Sequence, residues 1–113
     1  MNPITLQKEE ITEADYSVNE IKVIGRFSGP ALEKELPSGD KVVEFRLISS
    51  REDRDGVDVI NVAVWKSQLR KRALTLRKDE WISVEGALRR RFWRSPAGLA
   101  SRYQVEAREL SRI

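Results

Sequence analysis

Leu88-Arg89-Arg90-Arg91-Phe92-Trp93-Arg94 and Arg102-Tyr103 place five arginines and three aromatic residues within sixteen positions. An apolar core has no use for that composition, and a solubilising surface has no need of the rings. The chemistry suits an unpaired polynucleotide. Each free base exposes a π-face, and stacking it on Trp, Tyr or Phe contributes about 1–3 kcal/mol. Arginine offers paired donors to a phosphate and can itself stack on a base. Stacking is open to every base, so such a surface binds with little sequence preference. In an extended chain Arg89, Arg91 and Trp93 share one face, and Arg90, Phe92 and Arg94 the other. Trp93 is expected to be a platform and Phe92 a core residue. A second reading stays open, in which Phe92 and Tyr103 pack away while the arginines are simply solvated.

Other residues are less decisive. Trp65 ends an apolar alternation and could be a second platform or a cover for the helix that follows. Trp81 is expected to pack near the end of the structure. Lys66, Arg70, Lys71 and Arg72 could extend a basic surface or form the solvated side of a helix. No catalytic set is expected. The chain has no Cys and no His, which removes thiol nucleophiles, zinc knuckles and the commonest general base. Asp53, Asp55 and Asp58 lack the EF-hand pattern and read as a charged loop. No enzyme activity, metal or cofactor is expected.

The net charge of +3 over 113 residues conceals a segregation. Residues 1–40 hold 4 basic and 8 acidic side chains, whereas residues 41–113 hold 17 and 10. An acidic arm is followed by a part carrying +7, which suggests an anionic partner. No run of about 20 apolar residues exists to span a membrane. The N-terminus lacks the basic and apolar regions of a secretory signal, so the expected compartment is the cytoplasm.

The elements that must position these residues follow from hydrophobic period. Residues 1–18 read as a flexible acidic arm, with a short strand at Ile4–Leu6. Ile21, Val23, Gly25 and Phe27 alternate with polar neighbours in a first strand. Gly29-Pro30 punctuates it, and Ala31–Leu36 is a further short strand before the turn Pro37-Ser38-Gly39-Asp40. Val43, Phe45 and Leu47 mark the second strand, and Val57–Trp65 the third. Leu69, Ala73 and Leu76 are spaced as a helix stripe within Lys66–Arg77, with Arg70, Lys71, Arg72 and Arg77 turned away. Trp81–Arg94 and Ser101–Ala107 are two more strands around Ser95–Gly98. Gly25 and Gly86 inside strands mark bends or bulges. The order β–β–β–α–β–β implies an all-β fold. It is a five-stranded OB-fold Greek-key barrel over residues 19–113, with one short helix between strands three and four.

Set side by side, NEIKVIGRF (19–27), LPSGDKVVEFRL (36–47), VINVAVWKSQL (59–69), ISVEGALRRRFW (82–93) and SRYQVEA (101–107) resemble the bacterial single-stranded DNA-binding protein family. The resemblance implies an OB-fold that wraps single-stranded DNA in replication, repair or recombination. It places Trp65 and Trp93 at the family's stacking aromatics and Tyr103 at a position often aromatic. It also implies a homo-oligomer, dimer or tetramer, paired through first strands. The chain departs from the family in ending at Arg112-Ile113 without an acidic tip, so recruitment by such a tail is not expected. Ser49–Asp53 also lacks an aromatic found there in relatives. The candidate contact set is Trp65, Arg89, Arg91, Trp93, Arg94, Arg102 and Tyr103, with Arg26 and Lys66. The alternative is a tail-less accessory barrel of the primosomal type that acts mainly through protein partners.

Overall fold

Alternating apolar residues build the strands, and their hydrogen-bonded ladder closes on itself. A computed structural model describes residues 14–113. The elements are β1 (Ile21–Glu35), β2 (Lys41–Ser50), β3 (Val57–Val64), α1 (Ser67–Leu74), β4 (Trp81–Ser95) and β5 (Gly98–Arg112). They form a closed barrel in the order β1-β2-β3-β5-β4. All neighbours are antiparallel except β3 and β5, which meet in parallel at Val62–Val105 and Ala63–Glu106. This is the five-stranded OB barrel with its helix between the third and fourth strands. Among the described residues, no helix is long and apolar enough to cross a membrane. The expected strand at Ile4–Leu6 and most of the acidic arm lie outside the described residues.

The core is aliphatic with two rings. Leu47, Val62, Val64, Ile82, Val84 and Leu110 are fully buried, and Phe27 packs on Phe45 at 5.4 Å between ring centres. Helix α1 and the turn that follows it close one end of the barrel through Ala73 and Leu76. It is shorter than the period suggests, because the chain turns at Thr75, whose hydroxyl bonds the Arg72 carbonyl at 2.7 Å. Two of its cations also turn inward rather than away. Arg70 donates to the Trp65 carbonyl, and Arg72 to that of Leu110 at 2.6 Å. Carbonyls left open at the barrel end attract them.

Two expectations about strands are corrected. Gly29-Pro30 does not end the first strand. β1 continues to Glu35, and four steps of β1 between Ser28 and Leu32 face only two of β2. The bulge lets proline, which has no N–H, sit outside the ladder. β1 can therefore bend, pairing first with β4 and then with β2. Trp81 does open β4 at the barrel end, yet it is half exposed, because the chain end at Ile113 bonds its carbonyl without covering its ring.

Gly86 marks a bulge, as expected. The β4–β5 register shifts between Glu85 and Gly86, so that Arg108 is an extra residue on β5. A Cβ at Gly86 would lie 1.8 Å from the Glu106 carbonyl oxygen, a backbone atom that no rotamer change can move. Gly86→Ala should therefore cost about 3 kcal/mol or more, the upper end for overpacking. Urea unfolding checks this; stability equal to the parent would contradict so close an approach.

Candidate nucleic-acid interface

Beyond the barrel the β4–β5 ladder runs on alone. It reaches Ser95–Gly98, while β1 leaves β4 at Gly86 and β3 touches β5 only at residues 105 and 106. Residues 89–104 form a two-stranded arm with two faces. Arg89, Arg91, Trp93, Arg102 and Gln104 continue the outer surface of the barrel. Leu88, Arg90, Phe92, Arg94, Ser101 and Tyr103 share the parity of core residue Val105. The expected face assignments along the fourth strand hold.

Across the outer surface the strands bring Trp65 to the same side as Arg91 and Trp93. The Arg91 guanidinium lies 5.6 Å from the Trp65 ring centre, and that of Arg102 lies 5.1 Å from Trp93. Each indole thus carries a cation on its face. Lys34, Glu44, Arg91, Trp93, Arg102 and Gln104 line a cleft of about 290 Å³. A second hollow of about 260 Å³ joins Trp65 to Arg89, Arg91 and Glu106.

Glu44 is the hub of this surface. Its carboxylate accepts from Lys34 at 2.8 Å and Arg91 at 3.1 Å, and from buried Gln104. Burial works against its charge. Hydrogen bonds from Lys34 and Gln104, with the charges of Lys34 and Arg91, outweigh that and hold the carboxyl below its usual range. Arg91 is consequently fixed between a carboxylate and an indole. Glu44, Lys34 and Gln104 escaped the sequence reading. Glu44 showed only as the polar member of a strand alternation, and its facing partners depend on barrel closure.

The candidate residues separate into groups. Trp65, Arg89, Arg91, Trp93 and Arg102 come together on the outer face, and Lys66 follows Trp65 as the exposed N-cap of α1. Arg94 and Tyr103 are on the opposite face of the arm. Phe92 is there too and is 56% exposed, not a core residue. Alternation gave its side correctly, but the barrel has ended before that side could be covered. Arg26 stands apart: it pairs with Trp81 and bonds Asp79 at 3.6 Å. That is eight residues along β4 from Arg89, roughly 26 Å at strand rise. Arg51 pairs with Asp53 at 3.2 Å and Asp58 at 3.8 Å, so that loop is a charged turn. No cluster fit to hold a metal occurs among the described residues.

Comparison with curated proteins returns no match. Among solved structures, the chain is similar to one described as the Plasmodium falciparum SSB complex with ssDNA. The two share 22% identity with a TM-score of 0.64, over 87% of this chain and 95% of that one. The likeness shows the same fold. The model of the single-strand binding protein family matches residues 18–113. With all but the first 17 residues matched, the chain belongs to the single-strand binding protein family.

Proposed function

We propose that the outer face of the barrel and arm binds single-stranded DNA without sequence preference, stacking bases on Trp65 and Trp93. The observation that carries this reading is the pairing of each indole with an arginine on one continuous surface. A base entering the cleft takes the place of the guanidinium on the ring. The displaced guanidinium turns to the adjoining phosphate, where it offers two parallel donors. Arg89 and Lys34 extend the cationic path on either side. No bond is made or broken; the protein holds the strand wherever replication, repair or recombination exposes it. Family membership supports the ligand class, and the structurally similar Plasmodium protein is titled as a complex with ssDNA.

Assembly through first strands belongs to the same proposal. Among the described residues Ile21–Gly25 pair only with β4, which leaves the opposite edge of that stretch for a second copy. Light scattering should give a multiple of the chain mass; the mass of one chain at every concentration would remove this part.

Trp65→Ala and Trp93→Ala should each weaken binding of oligo-dT by roughly fivefold or more, given about 1–3 kcal/mol per stacked base. Fluorescence anisotropy of labelled oligo-dT measures this, and affinity unchanged in the double variant would end the stacking account. With Lys34, Arg89, Arg91 and Arg102 on phosphates, log affinity should fall with log salt at a slope of about −3. A flat salt profile would contradict it.

The Glu44 cluster makes a prediction that needs no DNA. Its carboxyl titrates lower in the folded chain than in the unfolded one, so it adds stability at neutral pH. That contribution is lost as pH falls through the folded value, because unfolding there takes up a proton. Urea titrations from about pH 7 to pH 3 should show a steeper decline for the parent than for Glu44→Gln. Glu80, held low by the Arg77 N–H and by Arg112, titrates in both proteins and drops out of the comparison. Parallel profiles would contradict a stabilising cluster at Glu44.

A further inference from the structure

Glu44 is an anion in the middle of a surface that would hold a polyanion. Its Oε1 accepts from Lys34 of β1 at 2.8 Å, and its Oε2 from Arg91 of β4 at 3.1 Å and from Gln104 of β5. Arg102 of β5 lines the same cleft, and no second acid does so among the described residues. Directly across the ladders stand Leu32 of β1 and Ala63 of β3, which carry no charge.

Holding a guanidinium over a ring does not require an acid. Arg102 lies over Trp93. On the other face of the arm Arg90 lies 5.1 Å from Phe92 and 5.5 Å from Tyr103, and its donors reach the Ser101 hydroxyl at 3.1 Å. Among the described residues neither Arg90 nor Arg102 is ion-paired; the carboxylates of this region go to Arg89 and Arg91. The acid at position 44 therefore has a consequence beyond order. A phosphate that takes Lys34 and Arg91 takes them from Glu44. That side chain is only 17% exposed, so water cannot replace both lost donors. Burial presses the carboxyl toward its neutral form, and Lys34, Gln104 and Arg91 together keep it charged. With two of the three withdrawn and a phosphate beside it, the carboxylate takes a proton from solvent.

We propose that Glu44 is a proton-linked brake on the cleft: single-stranded DNA competes with its carboxylate for Lys34 and Arg91, the complex takes up a proton there, and binding tightens once that charge is gone. The inference rests on the outer face being the DNA-binding surface and adds the regulation of that face. Linkage sets the direction. Binding raises the pKa of Glu44, so affinity is lowest and flat above the bound value, climbs as pH falls, and levels off below the free value.

The test uses labelled oligo-dT, whose thymines and phosphodiesters do not titrate in the carboxylate range. In the parent protein affinity should rise roughly tenfold between about pH 7.5 and about pH 4.5, the factor that one unit of pKa shift carries. Glu44→Gln keeps the size of the side chain without its charge. It should bind at neutral pH as tightly as the parent does at low pH, and its own affinity should stay nearly flat. Glu106→Gln should keep the parent's rise, because Glu106 is 39% exposed and water serves it when Arg89 leaves. Far-UV circular dichroism verifies that each protein is folded at the pH used. Titration calorimetry at about pH 5, in two buffers of different ionisation enthalpy, should show proton uptake for the parent and none for Glu44→Gln. A parent affinity flat with pH, or proton uptake that persists in Glu44→Gln, would overturn the brake and leave the outer-face reading standing. Weaker binding by folded Glu44→Gln at neutral pH would overturn it too, by making the carboxylate a support for Arg91 and not a competitor. If the parent protein binds oligo-dT at neither pH, the outer-face reading itself fails and the brake with it.

Discussion

Fourteen paired positions join β4 to β5, and most of the cations and one of the two indoles proposed to touch a ligand hang on that ladder. An isolated two-stranded ribbon is marginal in water. Here its base is one wall of a closed barrel, so the part that projects is clamped where Gly86 passes under the Glu106 carbonyl. The bulge at that crossing leaves β4 in phase and shifts β5 by one residue. This sets which arginines face Trp65 and which face away. A slip of one residue on β5 beyond the bulge would move Arg102 off the outer face and take its cation from Trp93.

Five arginines on so small an arm repel one another, and the structure disposes of that repulsion differently on its two sides. On the outer side Glu44 and Glu106 neutralise two of them, and the indoles accept two guanidinium faces. On the other side, among the described residues, aromatic rings and a hydroxyl do so. The outer surface is therefore ordered before any ligand arrives, with Arg91 held at both ends. A strand that binds there exchanges protein contacts for phosphate contacts, which favours adaptable, sequence-tolerant binding over rigid recognition.

Much of this was legible in the chain. The period-two runs at Ile21–Phe27, Val43–Leu47 and Ile82–Leu88 located the strands and their inward faces. Pro37–Asp40 forms its turn, with Gly39 at a φ of 90°. Gly86 as a bend and the two-sided arginine pattern also held, and the resemblance to single-strand binding proteins agrees with the family match over residues 18–113. Other features depend on closure, which no local pattern encodes. Phe92 obeys the alternation of a core residue at a place where no core remains. Glu44 joins Arg91 only because β2 and β5 flank β3. β1 reads as two strands because proline interrupts the ladder, and tertiary pairing on both sides carries it through.

The central claim is that bases displace guanidinium groups from two particular indoles. The chain has three tryptophans, and the third, Trp81, sits at the far end of β4, so it serves as an internal control. Following the three indole N–H resonances by NMR as oligo-dT is added tests the claim most directly. The account predicts large shifts for Trp65 and Trp93 with Trp81 little changed. Movement of Trp81 alone, or no movement of Trp65 and Trp93 at saturating oligo-dT, would contradict it.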